Sequence, residues 1–168
     1  MLATILCLFF PVLLVIAAAH DVRTMKIPNW ISIALTLAFI PTAFAAGLSL
    51  QQIGIHLGIG MIALIIGAGL FFLGVWGGGD GKLVAATAIW VGAAGGMNFL
   101  YGVAMFGGLL ALVLIILRRM KIESKTDWIA RLLSPKVGAP YGVAIAAGGL
   151  WAASASPVFA DGFRALGF

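Results

Sequence analysis

Residues 53–76 read IGIHLGIGMIALIIGAGLFFLGVW, with no Asp, Glu, Lys or Arg between Ile53 and Trp76. Crossing the hydrocarbon core of a bilayer takes about 20 predominantly apolar residues in a helix, so this stretch reads as a membrane span. Further apolar runs flank it, at about 2–19, 28–46, 83–94, 97–117 and 139–158. The expected fold is therefore all-α: a polytopic membrane protein of about six transmembrane helices with short loops, forming a single membrane-embedded domain over residues 1–168. Composition agrees, with 63% apolar residues, 9% charged and a mean hydropathy of +1.18. Soluble domains carry about 25% charged residues, so this chain has too little polar surface to coat a core in water.

The boundaries follow from local chemistry. Pro28 suits the first turn of a helix, and Pro41 is expected to kink the second span. Gly95-Gly96 is taken as the break between the fourth and fifth spans. Gly54/Gly58 and Gly92/Gly96 have the small-xxx-small spacing that lets helix backbones approach in lipid. The first run has no preceding Lys or Arg, so it is expected to be a retained span rather than a signal peptide. Within 118–138, Ser124 and Asp127 have capping-box spacing. The residues after them predict a short surface helix stopped by Pro135, with Trp128 near the headgroups.

The net charge of +5 does not indicate nucleic-acid binding, because the basic residues sit between apolar runs. With six spans and the N-terminus outside, the cytoplasmic loops are 20–27, 77–82 and 118–138. They hold Arg23, Lys26, Lys82, Arg118, Arg119, Lys121, Lys125, Arg131 and Lys136, leaving only Arg164 outside. Cytoplasmic loops are enriched in Lys and Arg. A merger of the fourth and fifth runs would place 118–138 on the wrong side. Cys7 is the one cysteine, so no intrachain disulfide or multi-cysteine zinc site is available. His20 and His56 are expected to be hydrogen-bonding or packing residues rather than metal ligands, and no cofactor is expected.

The acids carry the functional signal. Asp21 and Asp80 are the only two in the first 122 residues; Glu123 and Asp127 belong to the basic loop and Asp161 to the tail. Acids at membrane spans are costly and functional by default. The expected topology puts both at similar depth on one face, where they meet if the first span packs beside the third or fourth. Two carboxylates a few ångströms apart share a proton. The ionised one activates water, and the protonated one polarises a peptide carbonyl and supplies the leaving amine. Gly77-Gly78-Gly79-Asp80-Gly81-Lys82 surrounds one acid with residues that permit unusual backbone conformations and close approach of an extended substrate. Simpler readings exist: Asp21 as a loop acid paired with Arg23, Asp80 paired with Lys82, and Lys82 snorkelling to the interface.

At these residues the chain resembles the type IV prepilin peptidases, which are GxGD-type intramembrane aspartyl proteases. Gly77-Gly78-Gly79-Asp80 matches G-x-G-D, continued by Gly81-Lys82-Leu83. Asp21 followed by Ile27-Pro28-Asn29 resembles the segment of the first aspartate, and Pro140-Tyr141-Gly142 resembles the late P-[FY]-G element. The resemblance implies that Asp21 and Asp80 are catalytic, with Gly77, Gly79, Lys82, Pro28, Asn29 and Pro140 as local supports. It implies a prepilin or pseudopilin substrate with a basic leader peptide, cut at the cytoplasmic face of a bacterial inner membrane in company with pilus or secretion machinery. The chain lacks the cysteine-bearing cytoplasmic insert of longer members and is similar to the short form of tight-adherence (Flp-type) pilus systems. Two other readings stand beside this one: a proton-coupled transporter or channel using the same acids as relays, and a non-catalytic assembly subunit.

Overall fold

The computed structural model describes residues 2–120 and 124–164, with side chains as far as Ala160. Lys121 and Glu123 lie outside the described residues, as do the side chains of Asp161 and Arg164. The helices are α1 (Leu2–Cys7), α2 (Phe9–Thr24), α3 (Asn29–Ala45), α4 (Leu50–Phe72), α5 (Gly78–Arg119), α6 (Asp127–Leu133), α7 (Tyr141–Ala153) and α8 (Pro157–Arg164). Leu2–Thr24, α4 and α5 are long and apolar enough to cross a bilayer, and α3 and α7 are shorter apolar helices. The chain is an all-helical polytopic membrane protein, and its many exposed large apolar side chains, such as Ile62, Ile65 and Leu112, are those of a surface solvated by lipid.

The 42 residues of α5 would reach about 63 Å as one straight rod, at 1.5 Å per residue. They form two antiparallel halves instead. Gly92 has φ 64° and ψ −168°, a non-helical conformation inside the run. Before it, Gly81 lies against Gly67 and Ile89 against Gly60, so the first half runs antiparallel to α4. The same half runs parallel to α7, since Thr87 meets Gly149 and Ser156 Oγ donates to Trp90 O at 2.6 Å. After Gly92 the direction is opposite: Gly95 faces Ala152, Gly102 faces Gly148 and Gly107 faces Tyr141.

The reversal thus falls at Gly92 and not at the expected Gly95-Gly96. A Cβ on Gly92 would strike the His56 ring, and the residue's positive φ favours glycine. Gly95 stays helical against Ala152 O, and Gly96 faces open space. His56 Nδ1 donates to Ile89 O at 2.6 Å, so His56 and Ser156 both satisfy terminal carbonyls of the first half. In lipid no water is available to do so. Around this end Trp90 is fully buried and donates from Nε1 to Leu35 O at 2.8 Å. Its ring packs on Phe10, Phe39 and Phe159 at centroid distances of 5.2, 5.9 and 5.9 Å.

Other boundaries also move. α2 continues to Thr24, so Asp21 is helical rather than in a loop, and the helix stops at Met25 in the left-handed region, φ 54°. α4 starts at Leu50 because Ser49 and Gln52 form a capping box. α3 runs through Pro41. The expected Ser124–Asp127 box does not form: Thr126 is the N-cap of α6, and Ser124 Oγ accepts from Thr126 N. Gly54, Gly58 and Gly96 face open space. Close helix contacts fall instead at other glycines, among them Gly60, Gly67, Gly81, Gly102 and Gly148. Cys7 is buried, its Sγ directed at Val158 O.

Candidate active site

A cleft of about 360 Å³ is lined by Asp21, Met25, Lys26, Ile27, Gly77, Gly78, Gly79, Asp80, Gly138, Ala139 and Tyr141. It gathers the two isolated acids from helices far apart in the chain. As expected, the first span packs on the fourth, where Phe10 meets Trp90, and α7, which touches both α2 and α5, adds a second link between them.

Asp21 stands in the last turn of α2 and is 5% exposed. Its Oδ2 accepts the Gly142 N–H at 2.8 Å. Gly142 belongs to the first turn of α7, whose amides have no intrahelical partner and whose dipole favours negative charge. Asp80 is half-buried and occupies the first turn of α5. Each carboxylate therefore lies at a helix N-terminus, and the two are near enough to interact electrostatically.

Glycine acts here through space, not through unusual φ. Gly77 has φ −71° and ψ 143°, and none of residues 77–81 has positive φ, contrary to the expected conformational role. A Cβ on Gly77 would lie 2.8 Å from Asp80 Oδ2. One on Gly79 would lie 3.1 Å from Ile27 Cβ and 3.2 Å from Ile27 O. One on Gly142 would lie 2.9 Å from Asp21 Oδ2 and 3.0 Å from Ile27 Cδ1. Ile27, itself buried, is thus wedged between the start of α5 and the start of α7 and sets the spacing of the helices that carry the acids. In the sequence, Ile27 and Gly142 read as motif letters, with nothing to mark this spacing role.

The remaining supports divide into two groups. Pro140 is the buried N-cap of α7, and Pro28 is the N-cap of α3. Lys82 Nζ donates to Asn29 Oδ1 at 2.9 Å, a bond to Asn29 where the simpler reading paired Lys82 with Asp80. Neither Lys82 nor Asn29 lines the cleft. His20 Nδ1 bonds Lys26 O at 2.7 Å and pins the loop that leads to Ile27. Across the cleft, Arg118 donates to Leu132 O and Gly138 O.

Gly107 packs on Tyr141, a cleft residue, and α5 continues for about 16 Å to Arg118, whose guanidinium reaches back to Gly138 O at the edge of the cleft.

No curated protein and no solved structure matches the chain. A family model does, over residues 8–116, which include Asp21, Ile27 and Asp80 but not the Pro140-Tyr141-Gly142 element. With that match spanning most of its length, the chain belongs to the type IV leader peptidase family.

Proposed function

We propose that this peptidase is an intramembrane aspartyl endopeptidase that removes the leader peptide of type IV, Flp-like prepilins or pseudopilins at the cytoplasmic face of a bacterial inner membrane. The observation that carries the reading is the presence of Asp21 and Asp80 in one cleft, each at a helix N-terminus, with no other acid lining it among the described residues.

The chemistry follows from that pairing. Two adjacent carboxylates share one proton. Asp21, already accepting a backbone N–H at the start of α7, is assigned the charge and takes a proton from the attacking water. Asp80 holds the shared proton and hydrogen-bonds the scissile carbonyl as negative charge develops on its oxygen. Collapse of the tetrahedral intermediate breaks the C–N bond, and a proton passes to the leaving amine. Gly77, Gly78 and Gly79 leave the side of the cleft next to Asp80 without side chains, which gives an extended peptide room to lie beside the carboxylate.

The test is processing of a co-expressed prepilin by wild type, Asp21→Asn and Asp80→Asn, each present in membranes at equal level. Loss of leader removal in both variants is expected. Full processing by either ends the two-aspartate reading.

A further inference from the structure

His20 stands one residue before Asp21 in α2 but does not line the cleft, and the reaction proposed above gives its imidazole no part. The ring is nevertheless fully engaged on one side. Its Nδ1 lies 2.7 Å from Lys26 O and 2.9 Å from Thr24 Oγ1. A carbonyl oxygen only accepts, so Nδ1 carries a proton and donates it to Lys26 O. Thr24 Oγ1 lies 2.9 Å from His20 O and 3.1 Å from Lys26 O, and its single proton serves one of them at a time. Of the backbone groups of Lys26 and Ile27, Lys26 O is the only one with a hydrogen-bond partner among the described residues.

Covalent geometry says what that bond controls. Lys26 O and the Ile27 N–H belong to one planar peptide unit, so a donor that fixes the oxygen fixes the plane from which Ile27 starts. On one side Met25 is left-handed, with its N–H on Asp21 O at 2.7 Å. On the other Pro28 has φ −65°, locked by its ring. With both flanks set, the orientation of the Lys26–Ile27 peptide decides where the Ile27 side chain goes. It goes between Gly79, which precedes Asp80, and Gly142, which donates to Asp21.

We infer that His20 is a positioning residue for the aspartate pair: by holding Lys26 O it seats Ile27 between α5 and α7 and so keeps Asp21 and Asp80 at reacting distance. The inference rests on the leader-peptidase reading and adds to it a residue outside the cleft.

The test uses full-length protein in liposomes and a membrane-anchored prepilin. The amide nitrogen of Asn stands at the same remove from the backbone as Nδ1, whereas that of Gln stands where Nε2 is. His20→Asn therefore keeps the donor and His20→Gln misplaces it. With Thr24 left as a weaker donor, His20→Ala and His20→Gln are expected to lower kcat by about tenfold at unchanged KM, the pattern of a contribution made in the transition state. His20→Asn should stay close to the wild-type rate, and this comparison with Gln stands even if His20→Ala inserts poorly. Adding Thr24→Val to His20→Ala removes the second donor and should deepen the loss to about 10²-fold. Ile27→Ala tests the route: if His20 acts through Ile27, the losses from His20→Ala and Ile27→Ala fall short of additivity, whereas a role confined to the end of α2 adds in full. Full additivity, or equal activity of His20→Gln and His20→Asn, overturns the inference and leaves the protease reading intact. So does a rise in KM at unchanged kcat, which puts His20 in substrate binding. Absence of cleavage by wild type ends both.

Discussion

Asp21 and Gly142, separated by 121 positions in the chain, are joined by a hydrogen bond of 2.8 Å from the backbone N–H to Oδ2. This one contact fixes the carboxylate of α2 to the first turn of α7. Because α7 also packs along α5, it sets where Asp21 stands relative to Asp80. A methyl group at position 142 would sit 2.9 Å from Asp21 Oδ2 and 3.0 Å from Ile27 Cδ1, so one of them must shift. Misplacing a reacting group by about 1 Å can cost on the order of 10²-fold in rate. Gly142→Ala is expected to lower kcat/KM for leader removal by about that factor while leaving the protein folded and membrane-inserted. A steady-state assay beside a thermal melt in detergent checks both halves of the statement.

Glycines in this chain sort into those that pack and those that do not. Gly67 and Gly81 meet backbone to backbone, as do Gly102 and Gly148, whereas Gly54 and Gly58 face open space. Gly67→Val and Gly102→Val should push helices apart and destabilise by about 1–3 kcal/mol, the usual cost of overpacking. Gly58→Ala should be neutral or stabilise by up to about 1 kcal/mol through helix propensity. Unfolding in mixed micelles with added SDS measures the difference. Equal effects at positions 58 and 67 would contradict the packing described.

Arg118 closes a clip over the cleft. Its guanidinium donates to Leu132 O and to Gly138 O, both at 3.0 Å from Nη2, and Gly138 lines the cleft. Hydrogen bonds from a charged donor contribute about 1.5–3 kcal/mol. Arg118→Ala is expected to speed amide exchange over residues 126–140 by about tenfold, since 1.4 kcal/mol is a factor of ten. Arg118→Lys should behave almost as poorly, because an ammonium lacks the planar fork that spans two carbonyls. Hydrogen exchange with mass-spectrometric readout in nanodiscs decides it.

The lipid-facing character of the fold was legible from residues 53–76 and from the charge distribution, because hydropathy depends on composition and not on partners. The meeting of Asp21 and Asp80 was legible too, since isolated acids at span ends have few neutral explanations. What was not legible depends on who faces whom. Gly95-Gly96 looks a better helix breaker than Gly92 until His56 is seen occupying the space of a Cβ at Gly92. Gly54 and Gly58 have the packing spacing but meet nothing, and Gly67 pairs with a glycine in another helix that no spacing rule connects to it. Ile27 looked like a motif letter, and its wedge between Gly79 and Gly142 appears only once three distant segments are together. Asp21 reads as a loop residue because the helix stop at Met25 uses a left-handed residue that is not glycine.

The reversal at Gly92 gives the last prediction. For the first half of α5 to end inside lipid, its final carbonyls need donors, and His56 supplies one to Ile89 O at 2.6 Å while its ring stacks on Phe39 at 5.4 Å. His56→Phe retains an aromatic ring of similar shape against Phe39 but removes the N–H. Leaving a buried acceptor unsatisfied costs about 1–3 kcal/mol. The variant should unfold at correspondingly lower SDS fraction, and the loss should be local, with faster exchange at amides flanking Gly92 and little change near Asp80 at the other end of the same half-helix. Ser156→Ala, which removes the donor to Trp90 O, should give a similar and smaller loss. Because both side chains serve one helix end, the double variant should fall short of additivity. Full additivity would mean that the two caps act on independent structures, and the account of Gly92 as a single pinned turn would fail.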